Sequence, residues 1–207
     1  MPMQLFLTSA ASNVLSHLVN KLPLPTSNYQ AAFITTAADP YPGDSPWITA
    51  DRQALEATGI KTNSFSITNL SEKEIRNKLD NSNLIFVAGG NTFYLLDQVI
   101  KTGFDSLLRE KLEQGIVYIG SSAGSMILGN NIDLVSTDED RSKAPDLKSN
   151  GLAFVDLSIQ PHWGDPDLKS EYQQDFDSLY SKETKLITLR DNQYLHIKDN
   201  AIQFIQI

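Results

Sequence analysis

Twelve consecutive residues do most to limit the folds open to this chain: Val117-Tyr118-Ile119-Gly120-Ser121-Ser122-Ala123-Gly124-Ser125-Met126-Ile127-Leu128. The stretch opens as a short apolar, β-branched run, which reads as a buried strand. It then crosses small residues only and emerges as Met-Ile-Leu, which can open a helix. Inside it lies Gly120-x-Ser122-x-Gly124, the spacing of a nucleophile elbow. A strand that reverses sharply into a helix holds its corner residue in a strained conformation. Its neighbours must be small, or they collide with the strand and the helix. The corner hydroxyl then projects above the sheet, near the positive end of the helix.

The remainder of the chain supplies the sheet that such a corner needs. Apolar runs at residues 4–9, 31–37, 61–68 and 84–87 read as strands. Helical spacing follows over 10–21, 48–58 and 103–114. Ser71-Glu72-Lys73-Glu74 is a capping box that opens a helix through Leu79. Residues 157–160 and 185–189 read as further strands, with a helix over 167–180 between them. Asp199-Asn200 joins strands 194–198 and 201–206 as a C-terminal β-hairpin. Strands alternating with helices imply a mostly parallel open sheet covered on both faces, an α/β three-layer sandwich. All 207 residues are expected to form one domain.

In such a sheet the turns after the strands share one edge, where ligands bind. Four of these turns carry chemistry. The elbow at Ser122 is one. Ala88-Gly89-Gly90-Asn91-Thr92 is another. Its paired glycines let the backbone approach a ligand and present amide N–H groups, so it can cradle phosphate or supply an oxyanion donor. It is neither a dinucleotide fingerprint nor a P-loop. The third, Pro161-His162-Trp163-Gly164, follows strand 157–160, and Arg190-Asp191-Asn192 follows strand 185–189. Residues 39–47 form a proline-rich loop on the same edge. Tyr41 and Trp47 there either wall a pocket or pack beneath a rigid surface loop.

A serine is a weak nucleophile until a base takes its proton. Of three histidines, His17 falls between the apolar pairs of a helix. His196 lies on the polar side of a short strand beside Lys198 and reads as exposed. His162 follows an apolar strand on the functional edge and is the candidate base, the alternative being a structural histidine that caps that strand. An acid must orient the imidazole. Asp191 is the first candidate, because it too follows a strand. Glu139 or Asp138, on the acidic loop between Ser122 and His162, is the second. The order Ser122…His162…Asp191 is not that of α/β-hydrolases, in which the acid precedes the histidine.

Composition removes other classes. A net charge of −8 argues against a nucleic-acid partner held through phosphates. With no cysteine, disulfides, thiolate metal sites and cysteine nucleophiles are excluded, which fits a cytoplasmic protein. No basic, apolar leader opens the sequence, and no apolar run is long enough to span a membrane.

Phe86-Val87-Ala88-Gly89-Gly90-Asn91-Thr92-Phe93, Gly120-Ser121-Ser122-Ala123-Gly124-Ser125 and Gln160-Pro161-His162-Trp163 together resemble the three motifs of the aspartyl dipeptidase (dipeptidase E) and cyanophycinase family of serine peptidases. The resemblance runs in order along the whole chain. It implies a flavodoxin-like fold, akin to class I glutamine amidotransferases with serine in place of their cysteine. It also implies Ser122 as nucleophile and His162 as base. It places the acid after the histidine, where this chain has Asp191 in place of Glu. An older assignment in the family would instead match Glu139 or Asp138. Aspartyl-specific members carry an arginine downstream of the histidine, and residues 168–176 here contain none.

The expected activity is hydrolysis of amide bonds in small peptides, with the N–H groups of Gly90 and Ala123 as the oxyanion hole and no metal or organic cofactor. A cyanophycinase-like hydrolase or other amidase is the alternative within enzymes. A non-catalytic small-ligand binder on the same fold is the alternative outside them. Monomer and homodimer are both compatible with the sequence.

Overall fold

Five parallel strands form the body of the sheet: β1 (Gln4–Thr8), β2 (Gln30–Ile34), β3 (Lys61–Phe65), β4 (Leu84–Val87) and β5 (Val117–Ser121). The parallel pair β6 (Ser158–Gln160) and β7 (Leu186–Thr188) forms a separate small sheet. The hairpin β8 (Gln193–Lys198) and β9 (Ala201–Gln206) extends the main sheet antiparallel to β1. The order across it is β3-β2-β4-β5-β1-β8-β9. The computed structural model describes residues 3–207 apart from 42, 134–140, 149, 167–184 and 200. The helix expected over 167–180 therefore lies outside the described residues.

Alternation along each strand sends side chains to opposite faces, and both faces are covered. Phe6, Phe33, Phe86, Ile119 and Tyr194 pack against α1 (Ala11–Leu18) and α2 (Pro46–Ala57). Leu7, Ile34, Val87 and Tyr118 pack on the other face against α3 (Glu72–Leu79), α4 (Thr92–Lys101), α5 (Phe104–Glu113) and α6 (Ala123–Met126). Each of these large side chains contributes about 1.5–3 kcal/mol when fully buried. The paired cores thus hold the sheet edge rigid enough to carry a site.

Several ends differ from the sequence reading, each for a local reason. The second strand stops at Ile34 because the chain tightens into a 3-10 turn over Thr36–Ala38. That turn sets the Ala37 carbonyl to accept the Asn91 N–H at 2.8 Å. The third strand stops at Phe65, after which the Ile67 N–H donates to Thr36 Oγ1 at 2.9 Å. Helix α2 starts at Pro46 rather than residue 48, since proline suits the first helical position. The capping box of α3 forms as read, with reciprocal Ser71 and Glu74 bonds.

His196 is a correction. It is only 9% exposed, because β8 lies between β1 and β9 in the sheet and the imidazole stacks on Phe6 at 4.4 Å. Burial holds its pKa below the ordinary histidine value, with Lys198 and Lys21 adding to the shift. The alternation placed it correctly on one face of the strand. What alternation could not give is that this face is a second core.

Candidate active site

The register of the central strands sets the site. Thr8 of β1 pairs with Ser121 of β5 on one side and Tyr194 of β8 on the other. The residues just past these strand ends are therefore neighbours: Ser9 after β1, Ser122 after β5, and Asp191 just before β8.

Ser122 occupies the strand-to-helix corner with φ 48° and ψ −112°, a strained backbone for a residue with a side chain. Its N–H donates to the Thr8 carbonyl at 3.1 Å. Ser125 Oγ donates to the Thr8 and Gly120 carbonyls at 2.7 and 2.8 Å. The buried Tyr118 hydroxyl donates to the Gly124 carbonyl at 2.7 Å. Both glycines of the motif are required by space. A Cβ on Gly120 would lie 2.6 Å from the Gly124 carbonyl oxygen, and one on Gly124 would lie 2.1 Å from that of Val87.

The Gly89-Gly90 turn after β4 lies against this corner. A Cβ on Gly89 would stand 3.1 Å from Ser122 Cβ. Gly90 has φ 142°, and a Cβ there would fall 2.2 Å from the Ala37 carbonyl oxygen. Trp47 Nε1 donates to the Gly89 carbonyl at 3.2 Å. In a trans peptide the N–H opposes the C=O, so this bond also fixes the direction of the Gly90 N–H. Asn91 then caps α4 by accepting the Tyr94 N–H at 2.8 Å.

His162 follows β6 with φ 56°. Its Nδ1 lies 2.8 Å from Asp191 Oδ1 and its Nε2 lies 3.0 Å from Ser122 Oγ. Nδ1 must carry the proton to donate to a carboxylate, which leaves Nε2 as the acceptor of the serine proton. The hydrogen bond to His162 holds the Asp191 carboxyl below the usual carboxylate range, against partial burial, and Ser9 adds to the effect. Glu139 and Asp138 lie outside the described residues.

Three side chains of this site escaped the sequence reading, in whole or in part. Ser9 Oγ donates to Asp191 Oδ1 at 2.7 Å and accepts the His162 N–H at 2.6 Å. Its position one residue past the first strand was the available signal. Asp51 is buried on α2, accepts the Ser12 N–H at 2.8 Å, and lines the cavity beside Ser122. A lone aspartate in an amphipathic helix carries no signal of that kind. Trp47 proves to be a wall of the cavity, which measures about 330 Å³ and is also lined by Gly89, Gly90 and His162. No group of three or more histidine or acidic side chains among the described residues is arranged to hold a metal ion. Arg141 pairs with Asp133 and lies over the Phe93 ring, and Arg190 sits in a separate concavity with Trp163.

A strained serine at a strand-to-helix corner, in line with an imidazole and a carboxylate, is the arrangement of serine-type hydrolases. The chain belongs to peptidase family S51, whose family model matches residues 5–205. It is 31% identical over 199 residues to an uncharacterized peptidase of Listeria monocytogenes, with 96% of each chain covered. It is 34% identical over 124 residues to a probable alpha-aspartyl dipeptidase of Drosophila melanogaster, covering 59% of this chain and 48% of that one. A crystal structure of a candidate peptidase E from Listeria monocytogenes superposes over 100% of both chains with a TM-score of 0.90 at 28% identity. The protein is thus a serine-type peptidase on an open, mostly parallel α/β sheet. Among the described residues no helix is long and apolar enough to cross a membrane.

Proposed function

We propose that the protein hydrolyses amide bonds of small peptides through Ser122, His162 and Asp191. The observation that carries this reading is the continuous line from Ser122 Oγ to His162 Nε2 at 3.0 Å and from His162 Nδ1 to Asp191 Oδ1 at 2.8 Å. Ser122 Oγ attacks the scissile carbonyl carbon as its proton passes to His162 Nε2. The carbonyl oxygen gains the displaced electron pair and is held by the N–H groups of Gly90 and Ala123. His162 then gives the proton to the departing amine, leaving an ester on Ser122. Water attacks that ester, its proton passes to His162, and the same proton returns to Ser122 as the carboxylic acid leaves. Asp191 stays ionised and stabilises the imidazolium in both halves.

The cavity of about 330 Å³ lies at the small end of the usual ligand range, which accords with short peptides rather than folded chains. The test is a fluorophosphonate probe followed by a dipeptide library. Ser122 should be the labelled serine, and Ser122→Ala should fold normally yet lose activity by about three orders of magnitude or more. Wild-type protein that stays unlabelled at pH 8 would support a ligand-binding role instead. Labelling at Ser121 or Ser125 would misplace the nucleophile.

A further inference from the structure

Among the described residues that line the cavity, Asp51 is the charged side chain that peptide hydrolysis as derived above leaves unused. It is 4% exposed, yet it lines the same cavity as Ser122 and His162. Its partners are neutral donors: the Ser12 N–H at 2.8 Å and the hydroxyls of Ser121 and Ser12. Among the described residues no lysine or arginine pairs with it, and the positive charge that acts on it is His162 when protonated. Burial consequently holds its carboxyl above the usual carboxylate range, against those hydrogen bonds.

A purely structural role does not call for a carboxylate. Asparagine would accept the same Ser12 N–H, whereas a buried charge without a cation is costly. A carboxylate offers about four acceptor sites, so capacity remains after its neighbours are served. Trp47 lies four residues earlier on α2, hence on the same helix face, and it walls the same cavity. Its bond to the Gly89 carbonyl holds the indole in place, and an indole face attracts a cation. Among the described residues lining this cavity there is no lysine or arginine that would oppose a positive ligand.

We propose that Asp51 and Trp47 form a subsite for an ammonium group of the substrate, the free α-amino group or a lysine side chain. The proposal rests on the peptidase reading of the same cavity, but binding tests it without turnover. Ser122→Ala protein is titrated calorimetrically with Leu-Leu, N-acetyl-Leu-Leu and N-acetyl-Lys-Leu. At least one ammonium-bearing ligand should bind about tenfold tighter than N-acetyl-Leu-Leu, or about 1.4 kcal/mol. Leu-Leu as the tighter ligand assigns the subsite to the α-amino group, and N-acetyl-Lys-Leu assigns it to the side chain. Adding Asp51→Asn should shrink the gap to about threefold or less, with the affinity for N-acetyl-Leu-Leu held within about twofold. Should Asp51→Asn not fold, Trp47→Leu on the Ser122→Ala background should narrow the gap by about threefold. A gap that survives Asp51→Asn, or Trp47→Leu in its place, would overturn the proposal. So would the absence of any ammonium preference, including no binding by any of the three. A wild-type protein that cleaves no peptide, with the preference intact, would instead sink the peptidase reading alone.

Discussion

Ser9 Oγ donates to Asp191 Oδ1 at 2.7 Å, and through the same oxygen it accepts the main-chain N–H of His162 at 2.6 Å. One buried hydroxyl therefore ties the acid to the backbone of the proposed base. The tie matters because His162 sits at φ 56°, a conformation that persists only where its surroundings enforce it. Ser9 also lines the cavity beside Ser122, but in this scheme it acts through His162 and Asp191 and is a positioning residue. Ser9→Ala removes a hydrogen bond to a charged group, worth about 1.5–3 kcal/mol. We expect kcat to fall by about ten- to a hundredfold with KM little changed. The carboxyl carbon of Asp191, followed by NMR, should titrate at higher pH in the variant. A lower Tm with an unmoved Asp191 titration would reduce Ser9 to an ordinary core contact.

Asp191 itself fixes a pH dependence. Its folded-state pKa lies below the ordinary value, chiefly through the hydrogen bond to His162. Between the two values the unfolded chain binds more protons than the folded one, so stability rises with pH there. The contribution is complete above an ordinary carboxylate pKa of about 3.9 and is lost as pH falls through the depressed one. Asp191→Asn should thus lower Tm at neutral pH, with the difference from wild type closing below about pH 4. Its kcat at pH 8 should fall by roughly 10⁴ through loss of the orienting acid. If Glu139→Gln costs more activity than Asp191→Asn, the acid lies on the loop between Ser122 and His162.

The parts of this site that were legible in the sequence share one property. Each is written in local spacing. Gly120-x-Ser122-x-Gly124 demands a corner because Cβ atoms on either glycine would strike backbone, and that demand is visible without coordinates. His162 and Asp191 were singled out by their places after strands, yet β6 and β7 form a small sheet of their own rather than part of the main sheet edge, and Asp191 comes near through the start of β8 beside β1. Ser9, Asp51 and the direction of the Gly90 N–H depend on register across three strands and on the orientation of one helix. Sequence separations of 153 and 182 residues in the Ser9 bonds are beyond any local pattern. His196 failed for the related reason that burial on both faces of β8 depends on what packs over the hairpin.

Asp51 makes the opposite statement about stability from Asp191. Its carboxyl is raised above the ordinary range by burial, so the folded chain binds more protons than the unfolded one in the window above about 3.9. Stability therefore falls as pH rises through that window. Asp51→Asn keeps an acceptor for the Ser12 N–H and removes the charge. We expect its Tm to exceed that of wild type at pH 7.5, with the gain disappearing below about pH 4. Thermal scans across pH 3.5–8 would measure it. A lower Tm for the variant at neutral pH would mean that the carboxylate is held by a favourable partner and is no reserve of unmatched charge.

Selectivity at the substrate's side chain is a separate question from the ammonium subsite. Strict recognition of an N-terminal aspartate needs a cation for its carboxylate, and an arginine fork does this best. Residues 167–184 contain no arginine. Arg141 is engaged by Asp133 and the Phe93 ring, and Arg190 lies with Trp163 in a concavity apart from the one holding Ser122. The carboxylate of Asp51 inside the cavity would further repel an acidic side chain. Asp-Leu should therefore exceed Leu-Leu by no more than about tenfold in kcat/KM, a discrimination of about 1.4 kcal/mol. Steady-state assays of both dipeptides with the wild-type protein decide the matter. A preference for Asp-Leu beyond about a hundredfold would reverse the expectation. Arg141→Ala would then be the next variant to make, since Arg141 would have to leave Asp133 and turn to the substrate.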